Sequence, residues 1–287
     1  PATYSLSEDS VTGWAPTLTP PSVDLSAGVA STANNFGNQM RGTITIVKDA
    51  LPDTAEDFSF DSPNQLGAFS LDDDLDSTLA NAKVFSDLGS NSYTVSEDTH
   101  PGWSLTDITC EGDDNAQIDL SNRSVTLNLD RPAEDITCTF TNARDTGNIQ
   151  ITKLIDADGN LLTTGDRTPG ENWVMDVDPD GADTEDPSLP ATDISGHSLA
   201  SNIKTGNYWV SEDVNGPSDN YHFLDSSCTV GDVATGSSGT SSFGGVELKK
   251  DQTTFCTIIN ARDTGTITIV KDAIPNHGQN FTFTTTG

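Results

Sequence analysis

Gly42–Lys48 reads GTITIVK, Gly147–Lys153 reads GNIQITK, and Gly265–Lys271 reads GTITIVK again. Alternation along this heptad decides the fold. Ile44, Ile46 and Lys48 fall on one face of an extended segment and Thr43, Thr45 and Val47 on the other, and Ile149, Ile151 and Lys153 repeat the arrangement. A lysine therefore shares the apolar face with isoleucines. Other landmarks return in the same order. Tyr93–Asp98 (YTVSED) recurs as Tyr208–Asp213 (YWVSED) and as Tyr4–Asp9 (YSLSED), while Phe140-Thr-Asn142 is echoed by Ile258-Ile-Asn260 and Phe36-Gly-Asn38. The period-2 count puts Tyr93, Val95 and Glu97 on one face, and Cys138, Phe140 and Asn142 on one face. Their counterparts are Tyr208, Val210 and Glu212, and Cys256, Ile258 and Asn260. Three polar groups per unit are expected to point into the core.

The period divides the 287 residues into the tail of one unit at 1–41, complete units at 42–146 and 147–264, and the head of another at 265–287. Read this way, the chain is a window onto a longer array. Short strand-like runs broken by Gly, Pro, Asn and Asp, with almost no helical periodicity, predict an all-β chain of tandem β-sandwich domains. One helical turn or two is expected over 72–82, on Leu75, Leu79 and Ala82.

A hydrophobic content of 33% is lean for sandwiches of this size, which then need a staple. Cys110 and Cys138 lie the same interval apart as Cys228 and Cys256, although the two units differ in length. That equality argues for one disulfide within each unit and an oxidising, extracytoplasmic setting. Free core thiols and metal binding are the other readings, the latter without a Cys-x-x-Cys pair or a neighbouring histidine. The net charge of −31, from 44 acidic and 13 basic residues, repels phosphate backbones and anionic headgroups. Nucleic-acid binding and membrane docking are therefore not expected, and no apolar run approaches a membrane span.

The I-x-I-x-K strand, the Y-x-V-x-E-D strand followed by Gly-Trp, and the closing F-x-N strand resemble the Cna-B-type, prealbumin-like repeats of bacterial surface adhesins and pilins, in a cysteine-containing variant. The resemblance covers essentially the whole chain. It implies prealbumin-like (Ig-like, transthyretin-like) β-sandwiches and, in many members, an autocatalytic isopeptide bond between the first-strand lysine and the last-strand asparagine, assisted by the middle-strand glutamate. Carried over, the sets are Lys48, Glu97, Asn142 and Lys153, Glu212, Asn260. The chemistry is sound on its own terms. Burial disfavours the ammonium and leaves a nucleophilic amine, and it keeps a neighbouring glutamate protonated to polarise the amide carbonyl. A buried Lys-Glu ion pair with Asn as a neighbour, or a lysine that snorkels out at a strand end, is the alternative. The tail carries Glu8 and Asn38 without a lysine and the head carries Lys271 without those partners, so the two form a further set, completed by a flanking repeat or by a second molecule adding head to tail.

Asp156-Ala-Asp158-Gly-Asn160 and Asp176-Val-Asp178-Pro-Asp180-Gly181 space oxygen ligands as a hard cation requires, which makes calcium the one cofactor considered. Solvated acidic turns are the alternative. The four histidines are scattered, and no nucleophile elbow, His-Glu-x-x-His helix or phosphate loop is present. The chain therefore reads as a structural, extracellular repeat protein at the cell surface, a stalk, filament or fibre rather than an enzyme, with an adhesin or calcium-dependent ligand-binding module as the alternative. Trp14, Trp103, Trp173 and Trp209 would line a binding surface in that alternative, or pack in the core in the first reading.

Overall fold

The computed structural model describes residues 2–25, 30–63, 65–74, 78–179, 187–212, 220–236, 241–274 and 278–284. Among these the regular elements are all strands. The helical turn expected over 72–82 does not form among the described residues. Phe69–Asp73 is a strand that carries Leu71 into the core, and a further strand begins at Ala82, so pairing with neighbours overrides the local Leu spacing. Among the described residues no helix is long and apolar enough to cross a membrane. The chain divides into two compact units. One comprises 1–148 with 201–206 and 247–253, and the other 149–200 with 207–246 and 254–287.

In the first unit two sheets contribute to one core. One sheet runs in the order Gln117–Asp119, Ser124–Leu129, Asn91–Glu97, Thr54–Asp61, Phe69–Asp73. The other runs Trp14–Leu18, Gly37–Leu51, Asp135–Arg144, Trp103–Glu111, with Ala82–Gly89 also on Gly37–Leu51. Ile44, Ile46, Ile136 and Phe140 from the second sheet meet Phe58, Phe60, Val95 and Leu127 from the first in a single hydrophobic cluster. The expected faces hold: Ile44, Ile46, Lys48 and Ala50 are buried in alternation, as are Tyr93, Val95 and Glu97. Each fully buried aliphatic or aromatic side chain contributes about 1.5–3 kcal/mol. The glycine that opens the heptad has a steric cause. A Cβ on Gly42 would stand 2.7 Å from the Glu134 carbonyl oxygen, and one on Gly147 would stand 2.5 Å from that of Lys249.

In the second unit the larger sheet runs Thr168–Pro169, Thr146–Asp156, Thr253–Arg262, Tyr221–Val230, Val233–Thr235, with His197–Lys204 also on Thr146–Asp156. The smaller sheet runs Met175–Pro179, Gly206–Glu212, Ser242–Leu248. Ile149, Ile151, Val177, Val210, Phe243 and Ile258 are fully buried.

Both disulfides form. Cys110 and Cys138 are direct cross-strand partners, as are Cys228 and Cys256, and each pair closes a loop of 28 residues. A loop of that length stabilises the fold by about 3.5 kcal/mol in the chain-entropy description.

Candidate functional site

The lysine strand Gly37–Leu51 and the asparagine strand Asp135–Arg144 pair in parallel, with Lys48 opposite Phe140, two residues before Asn142. Parallel neighbours place inward residues of adjacent pairs side by side, so the lysine side chain leans along the sheet toward the amide. Lys48 Nζ donates to Asn142 Oδ1 at 3.1 Å and to the carbonyl oxygens of Asp49 and Phe140 at 2.7 and 3.0 Å. The Asn142 amide donates to Glu97 Oε2 at 3.3 Å, and Glu97 Oε1 is 3.9 Å from Nζ. Lys48, Glu97 and Asn142 are 1%, 3% and 0% exposed. Phe58 forms the floor, its ring centroid 4.2 Å from Nζ, and Trp103 meets that ring edge-on at 5.5 Å.

The second unit assembles the same groups in another hydrogen-bond pattern. Lys153 Nζ donates to Glu212 Oε2 at 2.6 Å, and the Asn260 amide donates to Glu212 Oε1 at 2.8 Å. Asn260 Oδ1 is buried without a hydrogen bond. Trp173 takes the place of Phe58, 4.1 Å below Nζ, and Tyr221 meets its ring edge-on at 5.4 Å as Trp103 does in the first unit.

A β-bulge sits beside the asparagine in each case. Leu105 faces Asn142 and Asp107 faces Thr141, skipping Thr106; Phe223 faces Asn260 and Asp225 faces Ile259, skipping Leu224. A bulge bends the strand and re-aims side chains. At Ile258-Ile-Asn260 both isoleucines and the asparagine are buried in sequence, whereas Thr141 in the first unit is half-buried.

Burial dominates the electrostatics. It pulls Lys48 down to about 8, against the opposing attraction of Glu97 and Asp49, and pulls Lys153 down to about 8 against its contact with Glu212. Burial likewise raises Glu97, opposed by Lys48 and Arg123. Arg123 is a participant that the repeat pattern does not reveal. Its backbone adopts φ 55°, its carbonyl accepts from the Glu97 N–H at 2.9 Å, and its guanidinium donates to Glu97 Oε2 at 2.6 Å and to the carbonyls of Glu97 and Asp98 at 3.0 and 2.7 Å. Phe58 was legible after the fact: it lies ten positions past Lys48, as Phe281 does past Lys271. Trp173 follows a longer loop and left no such signal.

In the tail, the Asn38 amide donates to both Glu8 oxygens at 2.9 and 3.0 Å, and both residues are exposed. Lys271 stands 4.5 Å over the Phe281 ring and donates to the Asp272 carbonyl. Of the tryptophans, Trp103 and Trp173 are buried, whereas Trp14 and Trp209 are exposed.

The acidic loops are only partly brought together. Oxygens of Asp156, Asp158 and Asp166 lie within 4.8 Å of one another. Asp156 Oδ1 accepts from the Gly159 N–H and its Oδ2 pairs with Arg167 at 3.2 Å, which holds its carboxyl below the usual carboxylate range despite burial. Asp158 accepts from the Asn160 N–H and Thr163, and Asn160 Oδ1 from the Leu162 N–H. Asp176 and Asp178 lie on the Met175–Pro179 strand, where period-2 alternation turns them away from the buried Met175 and Val177. Asp180 lies outside the described residues.

Solved structures similar to this chain include the major pilin of Streptococcus pyogenes (15% identity, TM-score 0.36, covering 78% of this chain and 99% of that one). Another is the T3.2 major pilin of the same organism (13%, 0.44, 78% and 98%), and a third is the Bacillus anthracis TIE protein (13%, 0.45, 85% and 41%). No curated protein matches the sequence. Residues 44–144 match the family described as a prealbumin-like fold domain.

Proposed function

We propose that this protein is a structural component of an extracellular, cell-surface stalk or fibre, its units fastened by one disulfide and one Lys-Asn amide each. The observation that carries the reading is the burial of an amine, a carboxyl and a carboxamide together at equivalent positions of both complete units, with the amine bonded directly to the amide in the first and both bonded to the carboxylate in the second. Isolated buried charges are costly, and two copies of such a cluster need a reason.

The reaction balances without a cofactor. Neutral Lys48 Nζ attacks Asn142 Cγ, a C–N bond forms, the C–NH₂ bond breaks, and Glu97 relays the lysine proton to the departing nitrogen, which leaves as ammonia. Lys153, Glu212 and Asn260 do the same in the second unit. Holding amine and amide in contact supplies about 7–11 kcal/mol that a bimolecular encounter lacks. Each site turns over once, so the chain is not an enzyme in the ordinary sense. The charge of −31 keeps such a surface soluble and indifferent to polyanions.

Intact mass spectrometry tests this. The expected mass is lower than the disulfide-bonded sequence mass by one ammonia per complete unit, and fragmentation yields branched peptides joining the Lys48 and Asn142 segments. A full, unreduced sequence mass refutes it.

A further inference from the structure

The two buried sites differ in which oxygen is left without a hydrogen bond. In the first unit it is Glu97 Oε1, 3.9 Å from Lys48 Nζ, while the amine donates to Asn142 Oδ1. In the second it is Asn260 Oδ1, while Lys153 Nζ donates to Glu212 Oε2 at 2.6 Å. One amine is presented to the amide, and the other is held on the carboxylate.

A single exchange beside the glutamate matches this difference. The Glu97 N–H donates to the Arg123 carbonyl and the Glu212 N–H to the Ser241 carbonyl, so Arg123 and Ser241 hold the same place in their units. From there the Arg123 guanidinium turns back onto the buried carboxylate, donating to Glu97 Oε2 at 2.6 Å and to the carbonyls of Glu97 and Asp98. A charge-assisted bond this short keeps the lysine from the same oxygen. Serine brings no charge, and among the described ion pairs Glu212 meets Lys153 alone.

From this exchange we infer that Arg123 is a positioning residue: by holding Glu97 it turns Lys48 toward Asn142, so that the first unit forms its amide ahead of the second and by a different proton route. The role rests on the amide reading above and gives it an order.

Counting charges separates the two routes. Arg123 already balances Glu97, so the proton lost by the Lys48 ammonium goes to water. Neutral Nζ then attacks Asn142 Cγ, the C–N bond forms as the C–NH₂ bond breaks, Glu97 carries a proton from the attacking to the departing nitrogen, and ammonia leaves with the carboxylate restored. Lys153 instead passes its proton to Glu212 inside the ion pair, and Glu212 remains protonated when ammonia departs. With both lysines drawn down to about 8 by burial, the first rate rises about tenfold per pH unit up to that value and then levels, whereas the second is flat below it and falls above. Asp49 and Asp73 also face Lys48, but their carboxylates accept from Thr141 and from the Ala50 N–H. His100, stacked on Phe58, faces Glu97. These three groups are common to wild type and to the variants below, so none of them produces a difference between them.

The test follows the whole chain, recovered unfolded in guanidinium and refolded by dilution under oxidising conditions from pH 6 to 9. Samples quenched in acid at intervals are digested, and the Lys48–Asn142 and Lys153–Asn260 branched peptides are quantified by mass. The first is expected to accumulate before the second, with the rising and the flat profile respectively. Arg123→Ala should slow the first site about tenfold or more and flatten its profile, while Arg123→Lys, which keeps a cation, restores the rise. Ser241→Arg should bring the rise to the second site, and it decides the matter if Arg123→Ala fails to form its disulfides. Equal rates and profiles at the two sites, the reverse order, or profiles indifferent to both Arg123→Ala and Ser241→Arg overturn the role of Arg123 and leave the amides standing. Ammonia lost at neither site overturns the amide reading and this role with it.

Discussion

Replacing Lys48 by Met separates a cross-linked unit from a merely ion-paired one, because the two cases differ in magnitude by several kcal/mol. The substitution removes the nucleophile and leaves an apolar side chain of similar length in the same site. If the amide forms, it ties together residues 94 apart in sequence, within which the Cys110–Cys138 bridge already closes 28. Loop-closure entropy then makes its loss worth about 4 kcal/mol. For a unit of roughly one hundred residues that corresponds to a fall in Tm on the order of 20 °C. If no amide forms, two effects oppose each other. Relief of a buried ammonium whose pKa has been drawn from 10.5 to about 8 is worth about 3 kcal/mol at neutral pH. The loss of its hydrogen bonds to Asn142, Phe140 and Asp49 costs about 1 kcal/mol each. These nearly cancel, and the first unit's transition moves by a few degrees at most. Calorimetry on wild type and variant under non-reducing conditions, with intact mass on the same samples, reads both quantities. A variant that melts with wild type, at a mass showing no change in ammonia loss, refutes the cross-link in the first unit.

A chain carrying Asn142→Ala and Asn260→Ala keeps both lysines as free amines. Their folded pKa of about 8 lies below the unfolded value of 10.5, so between these pH values the unfolded chain holds protons that the folded chain does not, and stability rises with pH by up to about 1.4 kcal/mol per unit for each lysine. Denaturant titrations from pH 7.5 to 10.5 should show that rise in the variant and not in wild type; a flat variant profile contradicts burial of the amines. Calcium should leave the Tm of wild type unchanged, because Arg167 already pairs with Asp156, the buried member of the Asp156, Asp158 and Asp166 cluster, whereas Arg167→Ala should gain a calcium-dependent increase at millimolar concentrations. Equal responses of the two proteins would refute competition between the guanidinium and the ion.

Much of the fold was legible because the relevant interactions are local and periodic. Alternation along Gly42–Lys48 depends only on the pleat, and the Lys, Glu and Asn faces followed from counting by two. Repetition supplied the rest, since a landmark met at the same offset in another copy marks the same place in space. What escaped the sequence is non-local or irregular. Arg123 reaches Glu97 from a turn in a left-handed backbone conformation, at a position the repeat does not mark as special. Trp173 occupies the Phe58 position after a loop of different length. The bulges at Thr106, Leu224 and Thr17 shift the register by one residue, and nothing in the composition of the strands announces them. Among the described residues the helical expectation over 72–82 is not met for a related reason: Asp73 pairs with Thr54 and Ala82 with Val47, pairings in which local spacing has no part, and Leu75 lies outside the described residues.

The positions of the two fastenings explain what they would achieve together. The asparagine strand Asp135–Arg144 lies between Gly37–Leu51 and Trp103–Glu111. The disulfide ties it to one neighbour through Cys110 and the proposed amide to the other through Lys48. Tension entering the unit at the start of its first strand and leaving at the end of its last runs through residues 42–48, crosses the amide, and exits through 142–146. Everything between Lys48 and Asn142, including the whole sheet that carries Glu97, then lies outside the loaded path. Without the amide the same tension shears the hydrogen bonds between the two parallel strands, and only the loop closed by Cys110 and Cys138 is protected. The disulfide and the proposed amide are therefore not redundant: one limits the entropy of the unfolded chain, and the other would keep mechanical force from reaching the residues between Lys48 and Asn142.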